Sequence, residues 1–198
     1  MIYMVDHVYT DPATEGAWHE WYAGYLQKLI SVPGIHTAQR FRAVGCTPSR
    51  YLAMYSVDSA EVYASEAYKS MGGGGSQSAR FHHAYQLWTR NLFEGASRAP
   101  VVQDGQRVVV FDRDARGGNG PLESRATWLE AVGLHMTTKY RAFVVLDAAE
   151  AATVPAVPGS YLYESFTPVI LRTAIPPQRI LFNTPLRGTQ TKQRKFRS

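Results

Sequence analysis

The sequence predicts an α+β fold, in which the order β-α-β-β-α-β forms a ferredoxin-like sheet with helices on one face. Strand-like and helix-like hydrophobic patterns follow one another in that order, turn residues separate them, and the second half repeats part of the order. The chain has 198 residues, of which 45% are hydrophobic and 19% charged, so it can bury a core. The sheet face that the helices leave bare must pack against a second layer or bind a ligand.

The first strand and the first helix have clear signals. Residues 2–9 are apolar, β-branched and aromatic, which predicts a strand. Asp11 and Pro12 suit the N-cap and the first position of a helix. Apolar residues then recur at spacings of three and four until the turn at residues 32–34, which predicts an amphipathic helix. We interpret its aromatic stripe, residues 18–25, as core packing.

A hairpin, a second helix and a fourth strand complete the first half. Residues 35–44 alternate in polarity and residues 50–57 are apolar, which predicts two paired strands. A short helix is expected over residues 60–71 and a strand over residues 83–93. The four glycines at 72–75 suit neither element, but they suit a lid that orders when a ligand binds.

The second half repeats this order only in part. The hydrophobic patterns predict a strand at residues 107–112, a helix at 121–137, and strands at 140–146 and 161–171. Only 14 residues separate the last two strands, which leaves no room for a hairpin and a helix. The second half is therefore either a degenerate duplication of the first or no repeat at all.

These patterns divide the chain into three parts. We expect a ferredoxin-like α+β-barrel domain over residues 1–99, a degenerate ferredoxin-like half over 100–174, and a C-terminal arm over 175–198. The last twelve residues carry five basic groups and no acidic group, whereas the rest of the chain carries equal numbers of both. The net charge of +5 therefore belongs to a tail, and a nucleic-acid-binding face is not indicated. We expect residues 175–186 to dock on the body or on a partner chain.

Several functional classes lack their sequence signals. No run of about 18 apolar residues occurs, and the N-terminus does not resemble a secretory signal. The single cysteine, Cys46, excludes an internal disulfide and a cysteine-based metal site. Dinucleotide-binding, zinc-protease and serine-hydrolase motifs are missing. We expect a soluble cytoplasmic protein without a metal site and without contact to a membrane.

Four short segments resemble a known superfamily. They are residues 32–35 (VPGI), 38–41 (AQRF), 50–53 (RYLA) and 88–93 (WTRNLF). They resemble the dimeric α+β-barrel superfamily, most closely its EthD-like and related uncharacterised members. The resemblance implies two sheets packed face to face, contributed by two halves of one chain, by two chains or by both. It also implies a homodimer and a barrel interior that holds a small, often aromatic molecule.

The resemblance further implies a set of chemistries. Its members include polyketide cyclases, quinone-forming monooxygenases, muconolactone-type isomerases and haem-containing peroxidases. In the cyclase-like members, a histidine on the first strand faces the cavity as an acid or base, and His7 matches it. A second histidine before the last strand helps to hold the substrate, and His82 or His83 matches it. An imidazole with an ordinary pKa near 6.5 can move protons at neutral pH.

Seven further residues are candidates for substrate binding. Tyrosine hydroxyls can donate a hydrogen bond to a developing oxyanion, and arginine can neutralise a carboxylate or an enolate. Each of these residues would otherwise fill a core or pair at an interface. The candidates are Tyr3, His36, Arg40, Tyr51, Tyr55, Trp88 and Arg90.

We therefore expect a cofactor-free cyclase, isomerase, lyase or oxygenase that acts on an aromatic or polyketide-like molecule. Two alternatives stay open. The chain could be a non-catalytic ligand-binding or accessory module. It could also bind haem through a single histidine late in the chain, and His135, on the expected second-half helix, is the last histidine.

Overall fold

The computed structural model describes residues 1–73, 75–155 and 157–172. The strands found there are β1 (Ile2–Tyr9), β2 (Ile35–Ala43), β3 (Tyr51–Val57), β4 (Tyr85–Glu94), β5 (Gln106–Arg113), β6 (Thr127–Leu134), β7 (Tyr140–Asp147), β8 (Ser160–Ser165) and β9 (Ile170–Leu171). The α-helices are α1 (Pro12–Leu29), α2 (Glu66–Ser70) and α3 (Ala148–Ala151), and 3₁₀ segments span Ala60–Ala64, Ser76–Ala84 and Glu123–Arg125. The expected C-terminal arm lies outside the described residues.

Eight of these strands close into an antiparallel barrel. The order around it is β3-β1-β4-β6-β7-β5-β8-β2, and β2 pairs with β3 to complete the circle. The short β9 adds to β2. A ferredoxin-like open sheet with one bare face is therefore not formed, because closure buries that face inside the barrel.

The two halves of the barrel have the same strand order. In the first half β4, β1, β3 and β2 are neighbours, and in the second half β8, β5, β7 and β6 follow in the corresponding order. The halves join where β4 pairs with β6 and where β8 pairs with β2. One chain therefore closes the barrel by itself, and the equal order favours the duplication that the sequence left open. The domain boundaries stay a prediction.

Apolar side chains fill most of the barrel interior. Alternation along β1 directs Met4 inward and Val5 outward to α1, as it does along the other strands. The main inward-facing residues are Ile2, Met4, Phe41, Leu52, Met54, Phe93, Val108, Val110, Leu129, Phe143 and Tyr163.

One end of the barrel interior is polar and contains a cavity of about 230 Å³. There Arg141 donates hydrogen bonds to Asp6 at 2.9 Å and to both oxygens of Asp112 at 2.7 and 2.9 Å. Asp6 precedes His7 in β1, and Asp112 occupies the corresponding place in β5. The charged groups of this cavity are thus satisfied by one another.

The covering layer differs between the halves. Helix α1 begins at Asp11, whose side chain accepts a hydrogen bond from the Ala13 amide, and it buries Trp18 and Leu26 against the outer face of the first half. On the outer face of the second half, the described residues place only α3 and the 3₁₀ turn Glu123–Arg125. No helix in the described part of the chain is both long enough and apolar enough to span a bilayer.

The helix expected over residues 121–137 is wrong. The structure has a 3₁₀ turn followed by β6, which pairs with both β4 and β7. Leu129 and Ala131 point into the barrel, whereas Glu130 and Val132 are exposed, which is the alternation of a strand. Helical spacing also fits Trp128, Leu129 and Val132, so the local sequence is compatible with a helix and with a strand. Hydrogen bonding to β4 on one side and to β7 on the other selects the strand.

Candidate functional site

The candidate site is a cavity between α1 and the outer face of β1, β3 and β4. Its open volume is about 40 Å³, which is room for a few water molecules. The lining residues are Tyr3, Val5, His7, Trp21, Tyr22, Tyr25, Leu29, Tyr55, Tyr68, Gly72, Gly75, Gln77, Ser78, Tyr85, Trp88 and Arg90. The resemblance had implied a pocket inside the barrel, but apolar side chains occupy most of that space.

His7 lies at the centre of this cavity because alternation along β1 turns it outward while Asp6 turns inward. Its ring packs edge-on against the rings of Trp18, Tyr22 and Tyr85, with centroids 5.5–5.6 Å apart. Within the described ranges, the imidazole makes no hydrogen bond. Both ring nitrogens are therefore free to interact with a bound molecule.

The environment of His7 keeps its imidazole neutral. Burial, assisted by the positive charge of Arg40, lowers the pKa of His7 to about 3. At neutral pH the ring is a hydrogen-bond acceptor and a base. Protonation becomes favourable only when negative charge appears beside it.

Tyrosine hydroxyls supply donors around His7. The hydroxyl oxygens of Tyr22 and Tyr55 lie 3.0 Å apart, and Tyr85 accepts a hydrogen bond from the Trp18 indole at 2.9 Å. Burial raises the pKa of Tyr22 to about 12 and that of Tyr55 well above its ordinary value. These hydroxyls therefore stay protonated and can donate hydrogen bonds to an oxyanion.

Among the described residues, Arg90 is the one charged side chain in the cavity lining at neutral pH. It projects from β4, and its guanidinium lies 4.9 Å from the centroid of the Trp88 ring. Its Nε is buried and has no hydrogen-bond partner. Arg90 forms no ion pair with any residue the structure describes, and no acidic residue lines the cavity.

The segment around the glycine run closes one end of the cavity. Gly75 has a φ of +102°, and a Cβ there would collide with the Trp88 ring. Ser78 Oγ donates to the Gly75 carbonyl at 2.9 Å and lies 2.8 Å from Nε2 of His82. Glycine therefore allows this backbone to pack directly on an aromatic ring. The lid function stays a prediction.

A second polar group stands behind His7. Arg40 is buried, with its guanidinium 4.0 Å from the Tyr22 ring centroid and 4.7 Å from that of Trp18. It donates to Nδ1 of His19 at 3.2 Å, and burial lowers the pKa of His19 to about 4. Aromatic faces and a neutral imidazole therefore stabilise the Arg40 guanidinium, which keeps its charge and lowers the pKa of His7.

The structure brings five of the sequence candidates together in the cavity lining: Tyr3, His7, Tyr55, Trp88 and Arg90. His82 lies at the rim, exposed, with its ring 5.4 Å from those of Tyr85 and Trp88. Arg40 and Tyr51 lie beside the cavity and do not line it.

Two candidate histidines lie away from the cavity. Nε2 of His36 is 2.5 Å from Oδ1 of Asp58 at the surface. Nε2 of exposed His83 is 3.5 Å from Oδ2 of Asp11, the N-cap of α1. Both side chains are therefore engaged in surface pairs.

Sequence reasoning missed the contribution of α1 and of the closing segment. Trp21, Tyr22 and Tyr25 belong to the stripe that was assigned to core packing, yet they line the cavity. Tyrosine hydroxyls on the buried face of an amphipathic helix were the available signal, because a pure core would favour phenylalanine or leucine. Gln77 and Ser78 gave no such signal.

His135, the residue named for a possible haem ligand, lies at the surface, and the haem alternative stays a prediction. This residue is exposed beyond the end of β6, and its Nδ1 accepts a hydrogen bond from the Arg90 amide at 3.2 Å. It lines none of the three cavities described. Within the described ranges, no group of three or more histidine, cysteine, aspartate and glutamate residues is placed to hold a metal ion.

A comparison with solved structures identifies the fold type. A crystal structure described as that of an anthrone oxidase-like protein matches with a TM-score of 0.54, over 86% of this chain and 92% of that chain. The chain has an α+β-barrel fold. Because the sequence identity is only 13%, the likeness concerns the fold alone. No protein-family model and no curated protein matches the chain, and the narrower EthD-like resemblance stays a prediction.

Proposed function

We propose that this protein binds a planar aromatic or polyketide-like molecule beneath α1 and removes a proton from it without a cofactor. The observation that carries the proposal is the His7 imidazole, which is buried, neutral, free of hydrogen bonds and open to the cavity. Tryptophan and tyrosine rings around it offer stacking surfaces for a flat ligand. The name of the structural neighbour, anthrone oxidase-like protein, fits such a substrate.

The chemistry begins with proton transfer from an acidic C–H or phenolic O–H group to His7. The electron pair of the broken bond stays on the substrate and spreads onto a carbonyl or phenolic oxygen. Of the Tyr22 and Tyr55 hydroxyls, the one that does not donate to the other donates to that oxygen, and the new anion offsets the cost of the buried imidazolium.

The fate of the anion distinguishes the reaction classes. Return of the proton to another atom is isomerisation, attack on an internal carbonyl is cyclisation, expulsion of a leaving group is a lyase reaction, and reaction with dioxygen is oxygenation. The proton transfer to His7 is common to all four.

The test uses 1,8-dihydroxyanthrone, whose C10 protons are acidic. In deuterated buffer without oxygen, we expect the protein to accelerate hydrogen–deuterium exchange at C10, measured by NMR. The variant His7→Gln should lose this acceleration by about 10²–10⁴-fold, the usual contribution of a general base. His36→Gln, which alters an exposed histidine, is the control and should keep the full rate. A folded His7→Gln variant with undiminished exchange would contradict the proposal.

A non-catalytic binding role is the second candidate. The low pKa of His7 makes the imidazole a weak base, which favours binding over catalysis. In either role the cavity, with about 40 Å³ open, must widen to admit an aromatic ring. Binding of the anthrone with no acceleration of exchange would support this role over catalysis. The homodimer, the cytoplasmic location and the absence of a cofactor also stay predictions.

A further inference from the structure

We propose that the aromatic molecule bound beneath α1 carries a carboxylate or an equivalent anionic oxygen group that pairs with Arg90. The inference rests on the proposed function, since it assigns a substrate class to the same cavity.

The first support is the unsatisfied state of Arg90. Burying a charged donor without an acceptor is unfavourable, and proteins pair such groups in most cases. Here Nε is buried without a partner, and the described residues place no carboxylate against the guanidinium. The guanidinium lies 4.9 Å from the centroid of the Trp88 ring, and its donor edge makes no hydrogen bond to a described residue. A bound carboxylate would accept two parallel hydrogen bonds from such an edge.

The second support is the charge of the whole lining. Tyr3, Tyr22 and Tyr55 stay protonated, and His7 stays neutral at physiological pH. With Arg90 as its one charged residue, the cavity has a net positive charge and is rich in hydrogen-bond donors. Such a cavity favours an anion over a neutral ligand and excludes a cation.

The third support is spacing. His7 pairs with Trp88 across β1 and β4, and Arg90 lies two residues further on the same face of β4. Diagonal positions of this kind are about 7–8 Å apart. A fused bicyclic ring together with its carboxylate is about that long, so the anionic group and the reacting position belong at opposite ends of an aromatic system.

The test compares two nearly isosteric probes, 2-naphthoate and 2-naphthamide, by isothermal titration calorimetry. We expect the wild-type protein to bind naphthoate at least tenfold more tightly, which corresponds to about 1.4 kcal/mol. Arg90→Gln should remove this preference, and Arg90→Lys should keep part of it, because the charge remains without the planar fork. Arg116→Gln, at an exposed arginine outside the cavity, is the matched control and should behave as wild type.

The outcomes separate this inference from the proposed function. Equal binding of both probes to the wild-type protein, or an unchanged preference in Arg90→Gln, would overturn the pairing and leave an aromatic cavity standing. Failure of both probes to bind would overturn the aromatic cavity and the inference with it. Thermal unfolding supplies a further check. Because the Arg90 guanidinium has no acceptor among the described residues, Arg90→Gln should not lower the unfolding temperature.

Discussion

The two outer faces of the barrel share a strand order and differ in what covers them. An 18-residue helix, α1, covers the first face over His7, whereas the described residues place only the four-residue helix α3 and a 3₁₀ turn on the second face. Arg113 occupies in β5 the place that His7 has in β1, one residue after the equivalent aspartate. His7 has no hydrogen-bond partner for its ring, but Arg113 pairs with Glu123 at 2.6 Å and donates to the Gly159 carbonyl.

The candidate site is distinguished by the chemistry of its lining and not by its volume. The groove on the second face has a volume of about 510 Å³, far larger than the cavity beneath α1, yet its charged side chains neutralise one another. The small cavity contains an unpaired base and an unpaired cation among protonated tyrosines. Polar groups without partners in a covered cavity are available to a ligand, whereas paired charged groups contribute to stability.

The largest expected effect concerns pH. The pKa of His7 is about 3 in the folded protein and near 6.5 in the unfolded chain, so the unfolded chain binds more protons between these values. Above pH 6.5, His7 therefore does not lower the free energy of unfolding. As pH decreases from 6.5 toward 3, this group lowers the free energy of unfolding by roughly 4–5 kcal/mol. Urea unfolding of wild type and His7→Gln at several pH values tests this. If the free energy of unfolding decreased equally with pH in the wild type and in His7→Gln, the low pKa of His7 would be wrong.

The second effect compares tryptophans on the two faces. Trp18, on the inner face of α1, is fully buried, so Trp18→Ala should lower the free energy of unfolding by about 3–5 kcal/mol. Trp128 is only partly buried on the second face, so Trp128→Ala should lower the free energy of unfolding by about 2 kcal/mol or less. Denaturant unfolding measures both values. Equal costs would mean that the two covering layers contribute alike.

The third effect concerns the closing segment. Gly75 and Gly105 both have positive φ, but only Gly75 has a neighbour, Trp88, that a new methyl group would meet. Gly105→Ala should cost about 1 kcal/mol from backbone strain alone, and Gly75→Ala about 2 kcal/mol. Gly75→Ala should also change the fluorescence of Trp88. A smaller loss for Gly75→Ala than for Gly105→Ala would contradict the contact.

The smallest effect concerns Arg113. Arg113→Gln breaks a partly buried ion pair and should cost about 1 kcal/mol, with no change in naphthoate affinity. Calorimetry and thermal unfolding of this variant measure both quantities. A loss of ligand affinity would mean that the second face, too, takes part in binding.

The first half was predictable because its elements carry local signals. Asp11 and Pro12 mark the start of α1, and alternation in β1 separates Asp6 from His7. The strand β6 was not predictable, because the spacing of Trp128 and Val132 fits a helix as well as a strand. Only the pairing of β6 with β4 and β7 in the closed barrel makes this segment a strand. Closure itself depends on strand partners that lie 36–43 residues apart for β4 and β6 and 120–124 residues apart for β2 and β8, and local patterns do not encode such contacts.

The site was predictable in part for a similar reason. Residues on β1 and β4, such as His7 and Arg90, follow from alternation on a single sheet face. Which side of that sheet holds the cavity depends on what packs there, so the barrel interior was expected instead. Arg40 could not be placed by type alone, since a buried arginine stabilised by Trp18 and Tyr22 looks in sequence like one that binds a substrate.

A crystal structure of the protein soaked with 2-naphthoate tests the central claim most directly. The account predicts the aromatic ring between α1 and β1, next to His7, with its carboxylate about 3 Å from the guanidinium of Arg90. If the naphthoate lay instead at the polar end of the barrel interior, beside Arg141, the proposed site beneath α1 would be wrong.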